Sequence, residues 1–555
     1  MQDPTGGKSE QWERLAAVVL PVLLVIQAVL LWHHQGTVAG AADSSGYLNS
    51  AWRLARGEYS LPIQFIEGVE AEGLPDYVEE VYAPLGYRAA RRNGTISPVY
   101  PVGLPLLLAG VATTTGWEAA AGCTIVLHAL LALLLVYKLG REFGLPRGWS
   151  LLGSLLLGVS PLFLHMAVLT MSDVPALTWT TACLLAALRA KRHPGWATAA
   201  GLALGIAVLV RPTNILAIIP AIIALGWKPG HLWLFITGGI PAALVLVAYN
   251  LKTYGQILVS GYFNPPGSFA PHHVAPTLAH YAVWLPILLT PLVVAALALP
   301  WARGVRRREK LILGTWIAAQ LGFYAVYVYT REDYWFLRFL LPAFPALTIA
   351  CLLVLRGLAG RTRGRISRRV PAAVAWVAVA LMVVVHGSLW TRSLRSFRTA
   401  EDELNYRTTA LWAQNHLPAD SVVFAMQDSG ALFYYTELQL LRPDWLSPGE
   451  FRYFAQAIHK EERPIYAILK FYEEAKMFMR HLPGNWILEA RVGDSSMWRL
   501  RKPTWNNSSA NEQQSAGVSA RAVQSDAQEK DWFESPSCWM GLHGGDLVSV
   551  NNNEA

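Results

Sequence analysis

The sequence predicts a polytopic α-helical membrane protein that carries a small α/β domain outside the membrane. Three observations lead to this fold class. Of the 555 residues, 53% are hydrophobic and only 15% are charged, whereas soluble proteins carry about 25% charged residues. Apolar runs of spanning length recur from the N-terminal region to about residue 390. Beyond residue 400, short apolar runs typical of strands alternate with helical patterns.

About eleven apolar runs are expected to cross the bilayer, within a range of ten to thirteen. Alternate loops are rich in Lys and Arg, and loops of this kind stay in the cytoplasm. This rule places the N-terminus, residues 1–14, inside. It places the loops 34–117 and 252–278 and everything after residue 390 outside. The predicted spans are 15–33, 118–138, 149–168, 172–190, 197–211, 213–227, 232–251, 279–300, 311–329, 338–356 and 371–391.

The domain boundaries follow from the same pattern. We expect a membrane domain over 15–395 with a long first outer loop at 34–117. An extracytoplasmic α/β domain is expected over 396–502, with strands near 421–425, 464–469, 486–490 and 497–500. The polar tail 503–555 is expected to be disordered. A Pro-rich apolar run ending near Thr115 predicts a helix lying on the membrane, with a short twelfth span as the alternative.

Several function classes are disfavoured by composition. The net charge of +8 arises mostly from Lys and Arg in short loops, so it indicates topology and no nucleic-acid partner. The four cysteines show no spacing typical of a disulfide framework or a metal–thiolate site. The sequence has no glycine-rich phosphate loop and no nucleophilic Ser or Cys motif, which argues against ATP hydrolysis.

Two acids at the outer boundary of the membrane are candidate catalytic carboxylates. Asp43 follows the first span and precedes a helical pattern over 47–56. Asp173 lies in the outer turn between two spans, at the same expected depth. Each acid has a structural alternative, because Asp173 before Pro175 is a good helix start. Asp43 could equally be a solvated loop acid or a helix cap.

Three arginines are expected at this level on the outer side, namely Arg211, Arg331 and Arg338. A guanidinium binds phosphate through a bidentate fork, and neighbouring acids can act as bases. This combination suits a phosphate-bearing lipid as substrate. The alternative is that each side chain simply reaches from a helix end to the membrane surface.

A weaker pattern is His272-His273 in the outer loop 252–278, with His280 soon after. Neutral imidazoles bind divalent cations, particularly beside an acid. We therefore consider His272 a candidate metal ligand and a divalent cation a candidate cofactor, although adjacent histidines are poor joint ligands.

Four stretches together resemble the membrane glycosyltransferases of the GT-C fold. The similarity is to the branch of the protein O-mannosyltransferases and the lipid A aminoarabinose transferase, which is glycosyltransferase family 39-like. The stretches, which span most of residues 15–390, are Asp43-Ser-Ser-Gly-Tyr47 with Arg53, Ser97–Leu108 with its Tyr100-Pro101, Gly201–Pro212, and Arg338–Pro345.

The resemblance implies a hexosyl or pentosyl transferase with a polyprenyl-phosphate sugar donor and an acceptor at the outer face. The acceptor could be protein, lipid or glycan. Asp43 matches the acid that the family uses as general base, and Arg211 and Arg338 match cations near the lipid phosphate. Tyr47, Arg53 and Tyr100 lie within the matching motifs and are expected to bind substrate.

One departure concerns the first motif, and two other functions stay open. Many relatives have Asp-Glu there, whereas Ser44 follows Asp43 in this chain, so Asp173 would have to supply the second acid.

The expected location is the bacterial cytoplasmic membrane, with the endoplasmic reticulum as the alternative. A transporter or flippase for a lipid-linked sugar, or a non-catalytic envelope assembly protein, would also fit the composition.

Overall fold

The computed structural model describes residues 6–69, 76–90, 94–259, 261, 267–366 and 372–501, so the predicted tail lies outside the described residues. The α-helices are, in chain order, α1 Gly6–His33, α2 Ala42–Ala55, α3 Gly103–Thr115, α4 Trp117–Glu142, α5 Arg147–Gly158, α6 Pro161–Ala167, α7 Asp173–Arg189, α8 Gly195–Val210, α9 Ile218–Leu225, α10 Pro229–Tyr254, α11 Val274–Leu288, α12 Arg307–Ala325, α13 Phe344–Ile366, α14 Ala372–Ser393, α15 Arg398–His416, α16 Ser429–Tyr435, α17 Pro448–Lys460 and α18 Glu474–Arg480.

Shorter elements complete the description. The 3-10 helices are Asp76–Tyr82, Pro212–Ala217, Pro271–His273, Pro291–Trp301, Val328–Arg331, Tyr334–Ala343 and Pro443–Trp445. The strands are β1 Leu61–Pro62, β2 Tyr87–Ala90, β3 Thr95–Pro98, β4 Val422–Phe424, β5 Gln439–Leu441, β6 Ile465–Lys470, β7 Trp486–Val492 and β8 Ser495–Leu500.

The chain forms two compact units. The first comprises Met1–Val38, Tyr47–Ser60 and Ser97–Glu403, and the second comprises Ala39–Gly46, Leu61–Ile96 and Leu404–Ala555. Two pieces of the first outer loop therefore belong with the C-terminal region, which differs from the boundary expected at residue 396.

The physical reason is a shared hydrophobic core within the second unit. Ile63, Val81 and Tyr82 from the loop pack in one buried cluster with Phe451 and Phe454 of α17. No regular hydrophobic period marks these loop residues in the sequence. The sequence alone does not show where these residues pack, because the sheet that they cover is formed by distant parts of the chain.

Each of the eleven predicted spans coincides with helix in the first unit. By length and composition, four described helical stretches could cross a membrane: Trp117–Glu142, Pro229–Tyr254, Tyr334–Ala359 and Val377–His416. Two bent pairs, Arg147–Ala167 at 64° and Pro271–Trp301 at 116°, would raise this number to six. The count of eleven stays a prediction, because the remaining described helices are shorter or less apolar than these.

Proline explains both bends. Pro161 and Pro291 begin the second element of each pair, and proline has no backbone N–H to continue the preceding helix. Ser160 accepts a hydrogen bond from the Phe163 N–H at 3.3 Å and so caps the new helix. The chain changes direction at these bends, although the apolar pattern of the sequence is continuous across them.

Helices α8 and α10 approach closely through glycine. A Cβ on Gly201 would lie 1.9 Å from the Phe235 carbonyl oxygen, and a Cβ on Gly238 would lie 2.1 Å from the Thr198 carbonyl oxygen. Small residues at helix contacts are typical of membrane bundles, where association depends on close packing. These contacts lie in the first half of α8, and nearer its C-terminal end Leu209 packs with Ala242 and Tyr249 of α10. Arg211 follows that end directly.

The helix α3 occupies the Pro-rich run whose placement was left open. It packs against α4 and α8 within the first unit. Both interpretations, a helix lying on the membrane and a short span, are compatible with its length of 13 residues.

The second unit contains a five-stranded sheet in the order β5-β4-β6-β8-β7. Strand β4 is parallel to β5 and β6, and β8 is antiparallel to β6 and β7. Side chains alternate between two cores: Val422 and Phe424 pack towards α17, and Val423 packs towards α15 and α16. The predicted strands and helices of this region are present. The sequence interpretation missed only β5 and α16, which are three and seven residues long.

Candidate active site

Asp173 lies at the centre of a buried ionic cluster in the first unit. It begins α7, and its side chain is 1% exposed. One carboxylate oxygen, Oδ1, is 2.8 Å from Arg211 Nη2, and the other, Oδ2, is 3.8 Å from Arg338 Nη1. Two guanidiniums therefore face one carboxylate, and a guanidinium can also bind a phosphate through its fork of N–H donors.

The two arginines come from different elements. Arg211 caps α8 in an extended conformation with φ −153° and precedes Pro212, whose ring ends the helix. Arg338 lies within the 3-10 helix Tyr334–Ala343. Their side chains are 12% and 9% exposed, respectively. The sequence analysis placed Asp173, Arg211 and Arg338 at one depth, and the structure brings these three together.

Hydroxyl groups extend the cluster towards α2. Ser172 Oγ accepts hydrogen bonds from Arg211 Nη2 at 3.1 Å and from the Tyr47 hydroxyl at 2.9 Å. The ring of Tyr47 also lies 4.7 Å from the ring of Tyr100. Tyr47 and Tyr100 are both buried, and substrate binding by them stays a prediction. Ser172 belongs to this cluster, although the sequence did not single it out as a functional residue.

Phe339 supports both guanidiniums. The guanidinium carbons of Arg211 and Arg338 lie 5.5 and 5.3 Å from the centre of its ring. Arg338 also lies 4.5 Å from the ring centre of Trp335. Cation–π contacts of this kind stabilise a guanidinium that has lost part of its hydration. The aromatic rings lie near the guanidiniums in these contacts, and the N–H donors in the plane of each guanidinium remain able to form hydrogen bonds.

Asp43 lies in the first turn of α2, which corrects the expectation of a loop acid. The small residues between Ala42 and Gly46 carry no apolar period, so the sequence pattern shows this helix only from Tyr47 onward. A carboxylate in a first turn complements the positive end of the helix dipole. Asp43 is half-buried, and it belongs to the second unit by its contacts, while Tyr47, one turn later, belongs to the first.

Two predicted arginines lie elsewhere. Arg53 Nη1 pairs with Glu58 Oε2 at 2.9 Å, and its guanidinium lies 4.8 Å from the ring centre of Trp52. Arg331 is exposed and makes no ion pair within the part of the chain that the structure describes. Substrate binding by Arg53 and Arg331 stays a prediction, and neither contacts Asp173.

The metal-binding hypothesis does not fit the residues present. His272 is exposed, and its ring contacts that of His273 at 4.0 Å. The Nε2 atom of His273 is 3.0 Å from the Gly267 carbonyl oxygen. Among the described residues, no three His, Cys, Asp or Glu side chains are grouped to hold a metal ion. We therefore derive no chemical step through a cation.

Comparisons with known proteins agree with the sequence resemblance. Residues 101–251 match the family of dolichyl-phosphate-mannose-protein mannosyltransferases. No curated protein matches the chain by sequence.

Solved structures with a similar fold include ArnT from Cupriavidus metallidurans in the apo state. It is 15% identical, with 87% of this chain and 98% of that chain covered and a TM-score of 0.56. ArnT bound to undecaprenyl phosphate is 14% identical, with 86% and 97% covered and a TM-score of 0.54. The arabinofuranosyltransferase AftD from Mycobacteria is 14% identical, with 88% of this chain and 40% of that chain covered and a TM-score of 0.51.

At these identities the structural likeness establishes the fold. Together with the apolar helices, it identifies an integral membrane protein. In its architecture the chain is therefore similar to the GT-C membrane glycosyltransferases, as its four sequence motifs predict.

Proposed function

We propose that this protein is a membrane glycosyltransferase that moves a hexosyl or pentosyl group from a polyprenyl-phosphate donor to an acceptor at the outer face. The observation that carries the proposal is the buried cluster in which Arg211 and Arg338 converge on Asp173. It combines two phosphate-binding side chains with a fold also found in a structure bound to undecaprenyl phosphate.

The cluster suits the leaving group of the reaction. During transfer the acceptor oxygen attacks the anomeric carbon, and the bond from that carbon to the phosphate oxygen breaks. Negative charge then increases on the departing lipid phosphate. Arg211 and Arg338 would stabilise this charge with donors that are already oriented, which is the most effective form of electrostatic catalysis.

Asp173 would act by positioning the arginines. Its carboxylate is buried, Oδ1 accepts a hydrogen bond from Arg211, and Oδ2 lies 3.8 Å from Arg338. A carboxylate held between two guanidiniums suits a positioning role. We therefore propose that it holds Arg211 and Arg338 at a separation that one phosphate group can bridge. This is a different role from the second catalytic acid that the sequence analysis expected.

Asp43 would be the general base that takes the proton of the acceptor hydroxyl. This role rests on the first-loop motif and on the family resemblance. The transfer then balances, since the proton goes to Asp43 and the electron pair of the broken bond goes to the phosphate. A positioned base contributes about 10²- to 10⁴-fold to the rate of such a step.

The proposal is tested by consumption of the donor. Purified protein would be incubated with undecaprenyl phosphate that carries mannose or arabinofuranose, with a membrane extract as the source of acceptor. Release of undecaprenyl phosphate would be measured. The wild-type protein should release it from one of the donors, and Asp43→Asn should lower the rate at least about 100-fold while the lipid still binds.

Two outcomes would reject parts of the proposal. Full activity of Asp43→Asn would remove Asp43 as the base. Movement of the intact sugar lipid across a reconstituted membrane, without its consumption, would favour the flippase. A protein that neither consumes nor moves the lipid would favour the assembly function. The location in the bacterial cytoplasmic membrane, with the C-terminal domain outside, is part of the same proposal.

A further inference from the structure

Glu332 lies in the turn before the 3-10 helix that carries Arg338, and neither the motifs nor the proposed mechanism assigns it a role. It follows the 3-10 helix Val328–Arg331 and precedes the 3-10 helix that carries Arg338. These two short helices pack against each other within the first unit. Glu332 is therefore held by the same local structure that positions one of the phosphate-binding side chains.

The carboxylate is poorly compensated. Its Oε2 atom is buried and has no hydrogen-bond partner among the described residues. The neighbouring Arg331 is exposed and forms no ion pair with it in the described structure. Burial raises the pKa of Glu332 to about 7, against the effect of Arg331, and Asp333 adds to the rise. A buried acceptor without a donor costs free energy, so the site is prepared for a hydrogen-bond donor from outside the chain.

An aromatic wall joins Glu332 to the arginines. The charge of Glu332 acts on Tyr327 and Tyr329, whose rings are 5.2 Å apart. Tyr327 lies 5.9 Å from Phe339, the ring that supports both guanidiniums. Tyr327 is also within electrostatic reach of Arg338.

Other charged and titratable groups near this turn are accounted for. The adjacent elements contribute His280 and Tyr281 from α11, and Tyr334 from the following 3-10 helix. The Tyr334 hydroxyl donates to the Leu394 carbonyl oxygen at 3.3 Å, and the His280 ring is engaged by the backbone of Asp333. The Tyr281 hydroxyl donates to the Leu321 carbonyl oxygen at 3.5 Å. Among the described residues, none of these contacts neutralises Glu332.

We infer that Glu332 binds the sugar of the lipid-linked donor, accepting a hydrogen bond from a hydroxyl or amino group of that sugar. A phosphate held by Arg211 and Arg338 carries its sugar directly on a phosphate oxygen, so the sugar must lie beside this cluster. Ligand sites typically combine aromatic walls with a few polar groups that fix orientation. Tyr327, Tyr329 and Glu332 form such a combination.

The chemistry favours a sugar over a second phosphate. A carboxylate repels an anion but accepts hydrogen bonds from hydroxyl and ammonium donors. A hydrogen bond to a charged group contributes about 1.5–3 kcal/mol, which corresponds to roughly 10-fold or more in affinity. Glu332 would thus contribute to recognition of the sugar and leave the lipid phosphate to the arginines.

This inference rests on the proposed function, and the test separates the two. Binding of three lipids to purified protein would be measured: undecaprenyl phosphate, and the same lipid carrying mannose or arabinofuranose. Glu332→Gln keeps the shape of the side chain and removes its charge. Glu118→Gln, an exposed carboxylate at the start of α4, is the matched control.

The expected result is selective. Glu332→Gln should weaken binding of the preferred sugar lipid about 10-fold and leave undecaprenyl phosphate binding unchanged, which also shows that the variant is folded. Glu118→Gln should change neither affinity. An equal loss for all lipids, no loss for any, or a wild-type protein that does not distinguish sugar lipids from the bare lipid would each overturn the inference. A wild-type protein that binds no lipid would overturn the proposed function itself.

Discussion

At the scale of single residues, the contact between Asp173 and two arginines decides the chemistry that this region can support. The sequence indicated acids and arginines at one depth, but it could not show which of them meet. Arg211 and Arg338 converge on Asp173, whereas Arg53 pairs with Glu58 in its own segment. A charge pattern along the chain reports depth in the membrane, and only tertiary contacts report partners.

Replacement of Asp173 should be costly for stability. Asp173→Asn would remove the carboxylate charge that both guanidiniums face, and breaking a buried ion pair costs about 3–5 kcal/mol. The thermal unfolding midpoint of the purified protein should fall clearly below that of wild type. Asp333→Asn, which replaces an exposed acid, should have a much smaller effect. Equal midpoints for wild type and Asp173→Asn would contradict the positioning role.

At the scale of elements, glycine contacts and buried charges determine how helices and strands are held. The close contact between α8 and α10 positions the end of α8, and Arg211 follows that end immediately. The apolar pattern predicted both helices well because helical period is a local property. It could not predict that Gly201 and Gly238 face opposing backbone atoms, since that depends on how the two helices cross.

Replacing these glycines by larger residues should disrupt the close contact between α8 and α10. Gly238→Val would place side-chain atoms against the Thr198 carbonyl and force α8 and α10 apart. We expect a lower unfolding midpoint and weaker binding of undecaprenyl phosphate, because Arg211 would shift with the end of α8. In the control Gly314→Ala, the added Cβ meets no atom within 4 Å. A Gly238→Val protein as stable as wild type would show that the helices separate without cost.

The second unit contains a buried charge cluster at the carboxyl ends of parallel strands β4 and β6. Lys470 is 0% exposed, and its Nζ lies 2.6 Å from Asp494 Oδ1 and 3.2 Å from Asp428 Oδ1. Burial alone would lower the pKa of Lys470, but Asp428 and Asp494 outweigh it, so the pKa is raised and the ammonium stays charged. Burial also raises the pKa of Glu473 to about 8, although the Lys470 backbone N–H opposes this rise.

Glu473 should make the free energy of unfolding of the second unit depend on pH. Its pKa is 4.5 in the unfolded chain and about 8 when folded, so the folded state binds more protons between these values. The free energy of unfolding should therefore fall as pH rises from about 4.5 to about 8, and stay low above that. Glu473→Gln should remove this slope and raise the unfolding midpoint at pH 8.5 by several °C. Parallel pH profiles for wild type and variant would contradict this assignment.

At the scale of the whole molecule, alternation of charged loops predicts which side of the membrane each segment faces. The helices of the structure coincide with the eleven apolar runs, and the fold is similar to that of known membrane glycosyltransferases. The orientation itself remains a prediction from the positive-inside rule.

Cysteine labelling tests this orientation. In a variant without Cys123, Cys183, Cys351 and Cys538, a single cysteine would be introduced at the exposed positions Arg303 or Lys460. A membrane-impermeant maleimide should label Lys460→Cys in intact cells and Arg303→Cys only after permeabilisation. The reverse labelling would invert the topology, and labelling of both in intact cells would place both segments outside.

The sequence by itself determined the helical membrane architecture and the strand–helix alternation after residue 400, and it predicted one depth for Asp173, Arg211 and Arg338. Each of these depends on local composition and period, which a single sequence displays. The tertiary structure decided that Asp173 holds two arginines, that Asp43 begins a helix, and that parts of the first outer loop complete the core of the second unit. Those outcomes depend on contacts between residues distant in the chain, and such contacts leave no period in the sequence.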